Sequence, residues 1–193
     1  LGILFTKAKL EEKIEEQQRM MEYLSSHDPL TGLANRRMFE EYGEKILSLA
    51  RRQNKKVAVM FLDLSKFKRV NDTFGHDFGD EVLRVIGGRL ERNVRQVDLL
   101  SRFGGDEFVL LVYDCDEECA KNLAERLIRL IEEPIELSGG EQIEISGNVG
   151  IAFYPKDGEE LDQLIRAADV AMYHAKRNGA LLAFFQGETS NPS

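Results

Sequence analysis

The stretch Arg102-Phe103-Gly104-Gly105-Asp106-Glu107-Phe108 decides how the chain is read. Two successive glycines predict a tight turn, because glycine enters positive φ at little steric cost. Two adjacent carboxylates follow, and then the apolar run Phe108-Val109-Leu110-Leu111-Val112-Tyr113. A run this short, apolar and rich in β-branched and aromatic side chains predicts a buried strand. Residues 98–103 read as its hairpin partner. Asp106 and Glu107 are thereby placed at a hairpin tip, on the mouth of a buried strand, where charge is costly unless a cation or a ligand uses it.

Working outward, Val57-Ala58-Val59-Met60-Phe61-Leu62 is apolar at every position and reads as a central strand. It ends at Asp63. If that strand runs antiparallel to 108–113, the end of one lies beside the start of the other, and Asp63 and Asp106 meet at one sheet edge. Carboxylates converging from strand ends suit a hard divalent cation with oxygen ligands, such as magnesium. The alternative is a solvated glycine-rich hairpin carrying surface acids.

The motif at 104–108, together with an ordered series of further blocks, resembles the GGDEF domains, the diguanylate cyclases. The other blocks are Asp28-Pro29-Leu30-Thr31-Gly32-Leu33 with Asn35-Arg36-Arg37, then Phe61-Leu62-Asp63-Leu64, then Phe67-Lys68 with Asn71-Asp72. Gly75-His76 with Gly79-Asp80, and Ala175-Lys176, complete the set. The resemblance covers residues 28–186. It implies an α+β fold similar to nucleotide cyclase and polymerase palm domains, with a mostly antiparallel central sheet flanked by helices. It further implies condensation of two GTP molecules to cyclic di-GMP with loss of pyrophosphate, each 3′-hydroxyl attacking the α-phosphate of the other nucleotide.

The roles implied by the resemblance fall on named residues. Asp63, the Leu64 carbonyl and Asp106 are the implied ligands for magnesium or manganese, and two metals clamp attacking and leaving oxygens in such chemistry. Asp106 or Glu107 is implied in deprotonating the hydroxyl. Lys68 and Lys176 are implied phosphate contacts. Asn71 and Asp80 match the guanine-reading pair: a carboxylate accepts from guanine N1–H and N2–H, donors that adenine lacks. Each residue also has a plainer reading. Lys68 is then a solvated lysine, Asn71 a helix cap, and Asp80 an acid near a helix N-terminus. His76, between the same blocks, reads as structural before it reads as substrate-binding. Arg95 and Asp98 match the family's Arg-x-x-Asp product-inhibition site for cyclic di-GMP; the alternative is a surface ion pair.

The chain departs from the family pattern twice. Ser65 stands where a second aspartate is common after Asp63. Ala180 stands where an arginine grips the triphosphate, and Arg177 is the neighbouring cation. Ala180 supports a second reading, a weakly active or inactive module that binds GTP or cyclic di-GMP and regulates a neighbouring domain.

The rest of the chain fits one domain. It has 193 residues, enough for a real core. The net charge of −8 argues against a nucleic-acid binder, which would carry a basic face. Residues 5–26 read as a charged helix with Ile3, Leu10, Ile14, Met21 and Leu24 on one a/d seam interrupted by Lys7 and Gln17. The expected organisation is a helical stalk over 1–27, the cyclase domain over 28–186 and a polar, disordered tail over 187–193. The stalk reads as a dimerising element or as a solvated linker; an upstream sensor or membrane segment and a downstream phosphodiesterase domain are the expected neighbours. The first residue is Leu1, which reads as a fragment or processed product. Helices are expected at 36–53, 66–72, 78–94, 117–132 and 161–177, and strands at 135–137, 142–153 and 181–185. No apolar run reaches the ~20 residues of a membrane span. Cys115 and Cys119 lack metal-site spacing and read as reduced thiols of a cytoplasmic protein, or of the cytoplasmic part of a membrane-tethered one.

Overall fold

The central strand β1 (Val57–Ser65) is buried along nearly its whole length, as its two-sided apolar sequence requires. In this computed structural model, which describes residues 1–187, β1 pairs antiparallel with β3 (Glu107–Tyr113) on one side and with β6 (Ser146–Tyr154) on the other. β2 (Leu99–Gly104) completes the hairpin on β3. β7 (Leu182–Phe184) adds to β6 in parallel, giving the order β2-β3-β1-β6-β7. One parallel pair in an otherwise antiparallel sheet is the α+β architecture read from the sequence.

Side chains alternate across β1. Ala58, Met60, Leu62 and Leu64 join one core, and Val57, Val59 and Phe61 join the other. The first core is covered by α3 (Phe67–Phe74), α4 (His76–Glu91) and α5 (Glu117–Glu132). The second is covered by α2 (Arg36–Gln53) and α6 (Leu161–Arg177). α6 lies very close to the sheet at Gly150, where a Cβ would stand 2.0 Å from the Ala168 carbonyl oxygen and 2.1 Å from the Met172 nitrogen. Parity then places Asp63 and Ser65 on β1, Glu107 on β3 and Asn148 on β6 on the α6 side of the sheet.

α1 (Gly2–Ser26) is one continuous helix with no buried residue. It starts three residues earlier than read from the sequence, and its seam residues Ile3, Leu10, Ile14, Met21 and Leu24 are all exposed in the single chain. Its end is stitched to the domain: Asn35 donates through Nδ2 to the Ser25 carbonyl at 3.0 Å and caps α2 by accepting from the Met38 amide at 2.9 Å.

Two readings need correction. Residues 142–153 are not one strand. β5 (Gln142–Ile143) pairs with β4 (Ile135–Glu136) in a separate two-stranded sheet, and β6 starts only at Ser146. Ile143 and Ile145 are both buried with Glu144 exposed between them, so the side-chain alternation runs through a change of hydrogen-bonding partner without marking it. The cysteines are not free thiols. Cys115 and Cys119 form a disulfide, because Asp116 caps α5 and its first turn brings the two Cα atoms to 5.4 Å, inside the range a disulfide spans. Among the described residues no helix is long and apolar enough to cross a membrane. The expected disorder of the tail concerns residues that, from 188 on, lie outside those described.

Candidate active site

The turn between β2 and β3 uses both glycines where only glycine is unstrained, with φ of +139° at Gly104 and +49° at Gly105. Arg102 holds it. Its Nε and Nη2 donate to the Gly105 carbonyl at 3.0 and 2.8 Å, and Nη1 donates to Asp28 Oδ1 at 2.8 Å. The other oxygen of Asp28 accepts from the Thr31 amide and hydroxyl. This ion pair is nearly buried on both sides, so the catalytic-looking turn is pinned to the chain that follows α1.

Beyond the turn, β1 and β3 set Asp63 opposite Glu107, and β6 sets Asn148 opposite Asp63. The Leu64 amide donates to the Asp106 carbonyl at 3.2 Å, which brings Asp106 beside the end of β1. Lys176, in the last turn of α6, donates to Asp63 Oδ2 at 2.8 Å. Burial, then the charge of Asp63, pushes the Asp106 carboxyl up to about 6. Glu107 and Asp169 are more exposed; partial burial raises both, helped for Glu107 by Asp169 and Asp63 and for Asp169 by Asp63. The Lys176 ammonium is raised by its hydrogen bond to Asp63. Asp63, Leu64, Asp106, Glu107 and Lys176 are therefore brought together at one end of the sheet.

The donor set fits a hard divalent cation. Two carboxylates share one strand end, and burial, with the neighbouring charge of Asp63, drives that of Asp106 toward its neutral form. With the Leu64 main chain facing the same turn, this makes a sparse, all-oxygen set. Among the described residues no group of three or more His, Cys, Asp or Glu side chains is placed so that it could hold a metal ion, so the protein offers only this pair and main-chain oxygen. A set this sparse would leave a bound cation coordination positions for other oxygens, as magnesium sites commonly do.

The residues expected from the sequence to contact the nucleotide lie on the two helices that follow β1. Asn71 packs its amide over Gly79, where a Cβ would stand 1.8 Å from Asn71 Oδ1, so Asn71 sits within α3 against α4 rather than capping a helix. Asp80, half-buried, is the next residue. Lys68 lies one turn before Asn71 and is exposed, as is His76 at the first position of α4.

Arg95 and Asp98 lie at the other end of the hairpin. Arg95 Nε and Nη2 fork onto the Asp98 carboxylate at 3.1 and 3.0 Å, and Nη2 also donates to the Tyr113 carbonyl at 2.7 Å. The Asp98 side chain is 1% exposed, so in this conformation its oxygens face Arg95 and the backbone. A groove of about 420 Å³ opens beside the pair, lined among others by His27, Met38 and Gln96.

Three features escaped the reading of the sequence. Asp169 precedes Lys176 by seven residues, two turns of one helix stripe, and that spacing was the available signal. The Asp28–Arg102 pair joins residues 74 apart and has no local signature. Asn148 links the two departures from the family pattern: the Ser65 hydroxyl donates to Asn148 Oδ1 at 2.6 Å, and Asn148 Nδ2 donates to the Ala180 carbonyl at 2.8 Å.

Comparison with known proteins gives the same frame. The model of the diguanylate cyclase GGDEF domain matches residues 25–181. MucR, a bifunctional diguanylate cyclase/cyclic di-GMP phosphodiesterase of Pseudomonas aeruginosa, is 44% identical over 156 residues, covering 81% of this chain and 23% of MucR. The diguanylate cyclase TpbB of the same species is 37% identical over 166 residues, covering 86% of this chain and 38% of TpbB. This chain thus spans well under half the length of either relative. The solved GGDEF domain of TpbB superposes with a TM-score of 0.79 at 36% identity, covering 83% of this chain and 94% of that one. With its Gly-Gly-Asp-Glu-Phe turn set beside Asp63 at the end of the central strand and a family match over most of its length, the chain belongs to the GGDEF-domain family of diguanylate cyclases.

Proposed function

We propose that this chain is a working diguanylate cyclase domain that condenses two GTP molecules into cyclic di-GMP. The observation that carries this reading is the convergence of Asp63 and Asp106 at one sheet end, with Lys176 on Asp63 and the Asp106 carboxyl pushed up to about 6. In the proposed reaction the 3′-oxygen of one GTP forms a bond to the α-phosphorus of the other, and pyrophosphate leaves with the electron pair of the broken P–O bond. The step occurs twice, and the hydroxyl proton passes to a carboxylate at the turn, Asp106 or Glu107. Asp63, the Leu64 carbonyl and Asp106 would hold magnesium or manganese, which supplies charge neutralisation at the phosphates. Lys176 and Lys68 counter the phosphate charge. Asp80 accepts from the guanine N1–H and N2–H, and Asn71 meets its other edge, so GTP is favoured over ATP. His76 borders this nucleotide side.

One domain presents one such site, and the reaction joins two nucleotides, so two copies must face each other; the exposed seam of α1 is the proposed dimer contact. Cyclic di-GMP is proposed to bind at Arg95 and Asp98, where the fork between them must open for Asp98 to accept from guanine. The setting is proposed to be cytoplasmic, beside a sensor and, as in the bifunctional MucR, a phosphodiesterase unit. A second reading, a GTP- or cyclic di-GMP-binding regulator with little turnover, is favoured by Ala180, which offers the triphosphate only a methyl group. Incubating the protein with GTP and magnesium separates the two. Cyclic di-GMP accumulating over many turnovers supports the cyclase; GTP binding without product supports the regulator.

A further inference from the structure

Among the described residues three polar or charged residues are buried as whole residues: Asp63, Ser101 and Asn148. Asp63 belongs to the site above, and the Ser101 hydroxyl is spent on the Val109 carbonyl within the hairpin. Asn148 has no role there, yet its amide is fully directed. The Ala180 carbonyl can only accept, so Nδ2 must face it, which turns Oδ1 to the Ser65 hydroxyl.

What Asn148 holds is the turn between α6 and β7. On one flank the Ala180 amide donates to the Ala175 carbonyl at 2.9 Å and closes the helix; on the other the Val149 amide donates to the Leu181 carbonyl at 2.8 Å. Asn148 adds a side-chain tie at residue 180 itself. Lys176 lies four residues earlier, its long stem half-exposed and its ammonium on Asp63. A flexible lysine rests where its helix end places it, and the helix end is tied through Asn148 to Ser65, two residues along β1 from Asp63. The tie also matters because the side chain at 180 can make no charged contact of its own.

We propose that Asn148 is a positioning residue for the GTP triphosphate: with Ser65 it locks the turn after α6 onto the end of β1 and so sets Lys176 beside Asp63. The proposal rests on the reading that GTP binds at this sheet end. The test uses the whole chain as parent, Asn148→Ala, Ser65→Ala and Ile165→Val, the last a trimmed core residue of α6 outside the relay. Two readouts are taken: amide hydrogen exchange at Ala180 and Val149, and calorimetric binding of a non-hydrolysable GTP analogue with magnesium. Loss of a buried hydrogen bond predicts roughly tenfold faster exchange and roughly tenfold weaker analogue binding in Asn148→Ala. Ser65→Ala should move both in the same direction by less, and Ile165→Val should leave analogue binding as in the parent. Unchanged exchange in Asn148→Ala overturns the lock. Faster exchange with undiminished analogue binding, or equal weakening by Ile165→Val, overturns the positioning role. A parent that binds no analogue sinks the functional reading instead, and with it the positioning role, while exchange still decides the lock.

Discussion

Replacing Asp106 by asparagine tests whether the paired carboxylates are built for a cation. In the metal-free protein the Asp106 carboxyl is pushed from 3.8 up to about 6, by burial first and by Asp63 second. Taken whole, a shift of ~2 units at 1.36 kcal/mol each is ~3 kcal/mol. The group is only half-buried, and solvent screening reduces this to ~1–2 kcal/mol. An acid whose pKa is raised by folding keeps in the native state a proton that the unfolded chain has released. Native stability therefore falls as pH rises from ~4 to ~6, and above ~6 the whole penalty stands. Asparagine carries no charge, so Asp106→Asn should be more stable than the parent at pH 7.5, by ~1–2 kcal/mol or roughly 3–6 °C for a domain of this size. The gain should close as pH approaches ~4, where both states of the parent bind the proton. Urea denaturation in the presence of a chelator at several pH values measures this. Magnesium should stabilise the parent and not the variant, because a ligand stabilises only the state that binds it. Formation of cyclic di-GMP should be lost. A variant no more stable than the parent at pH 7.5, or a difference that does not change with pH, refutes the reasoning.

Ala180→Arg should lower the Michaelis constant for GTP by ~10- to 100-fold, since a charge-assisted hydrogen bond contributes ~1.5–3 kcal/mol and the position is exposed; an unchanged constant would mean that Lys176 already serves the phosphates. Gly79→Ala should erode the preference for GTP over ATP with little loss of melting temperature, because the new methyl displaces the Asn71 amide that lies 1.8 Å from its place; competition binding of the two nucleotides reads this, and an unaltered preference removes Asn71 from base recognition. Deleting residues 1–26 should reduce specific activity most at low protein concentration and restore it as concentration rises, the mark of a lost dimer contact; activity independent of concentration in the truncated protein counts against α1 as that contact.

Much of the fold was legible in the residues. The apolar run at 57–62, the glycine turn at 104–105 and the helix periodicities at 36–53, 117–132 and 161–177 each depend on local steric and hydrophobic preferences, and those elements formed where the patterns lie. The family blocks carried the fold class and the expected site residues. Local pattern failed where a backbone partner changes without a change in side-chain alternation, as between Gln142–Ile143 and Ser146, and where one helical turn closes Cys115 onto Cys119.

The site divides in the same way. That two acids end neighbouring strands follows from the sequence once the antiparallel pairing is assumed. Only the tertiary structure decided that Lys176 reaches Asp63 across 113 residues, that Arg102 clamps Gly105 to Asp28, and that Asn148 joins Ser65 to Ala180. Strand and helix periods are properties of adjacent residues and are written locally. A hydrogen bond between distant side chains exists only after the sheet order and the position of α6 are set, and no spacing in the chain encodes it.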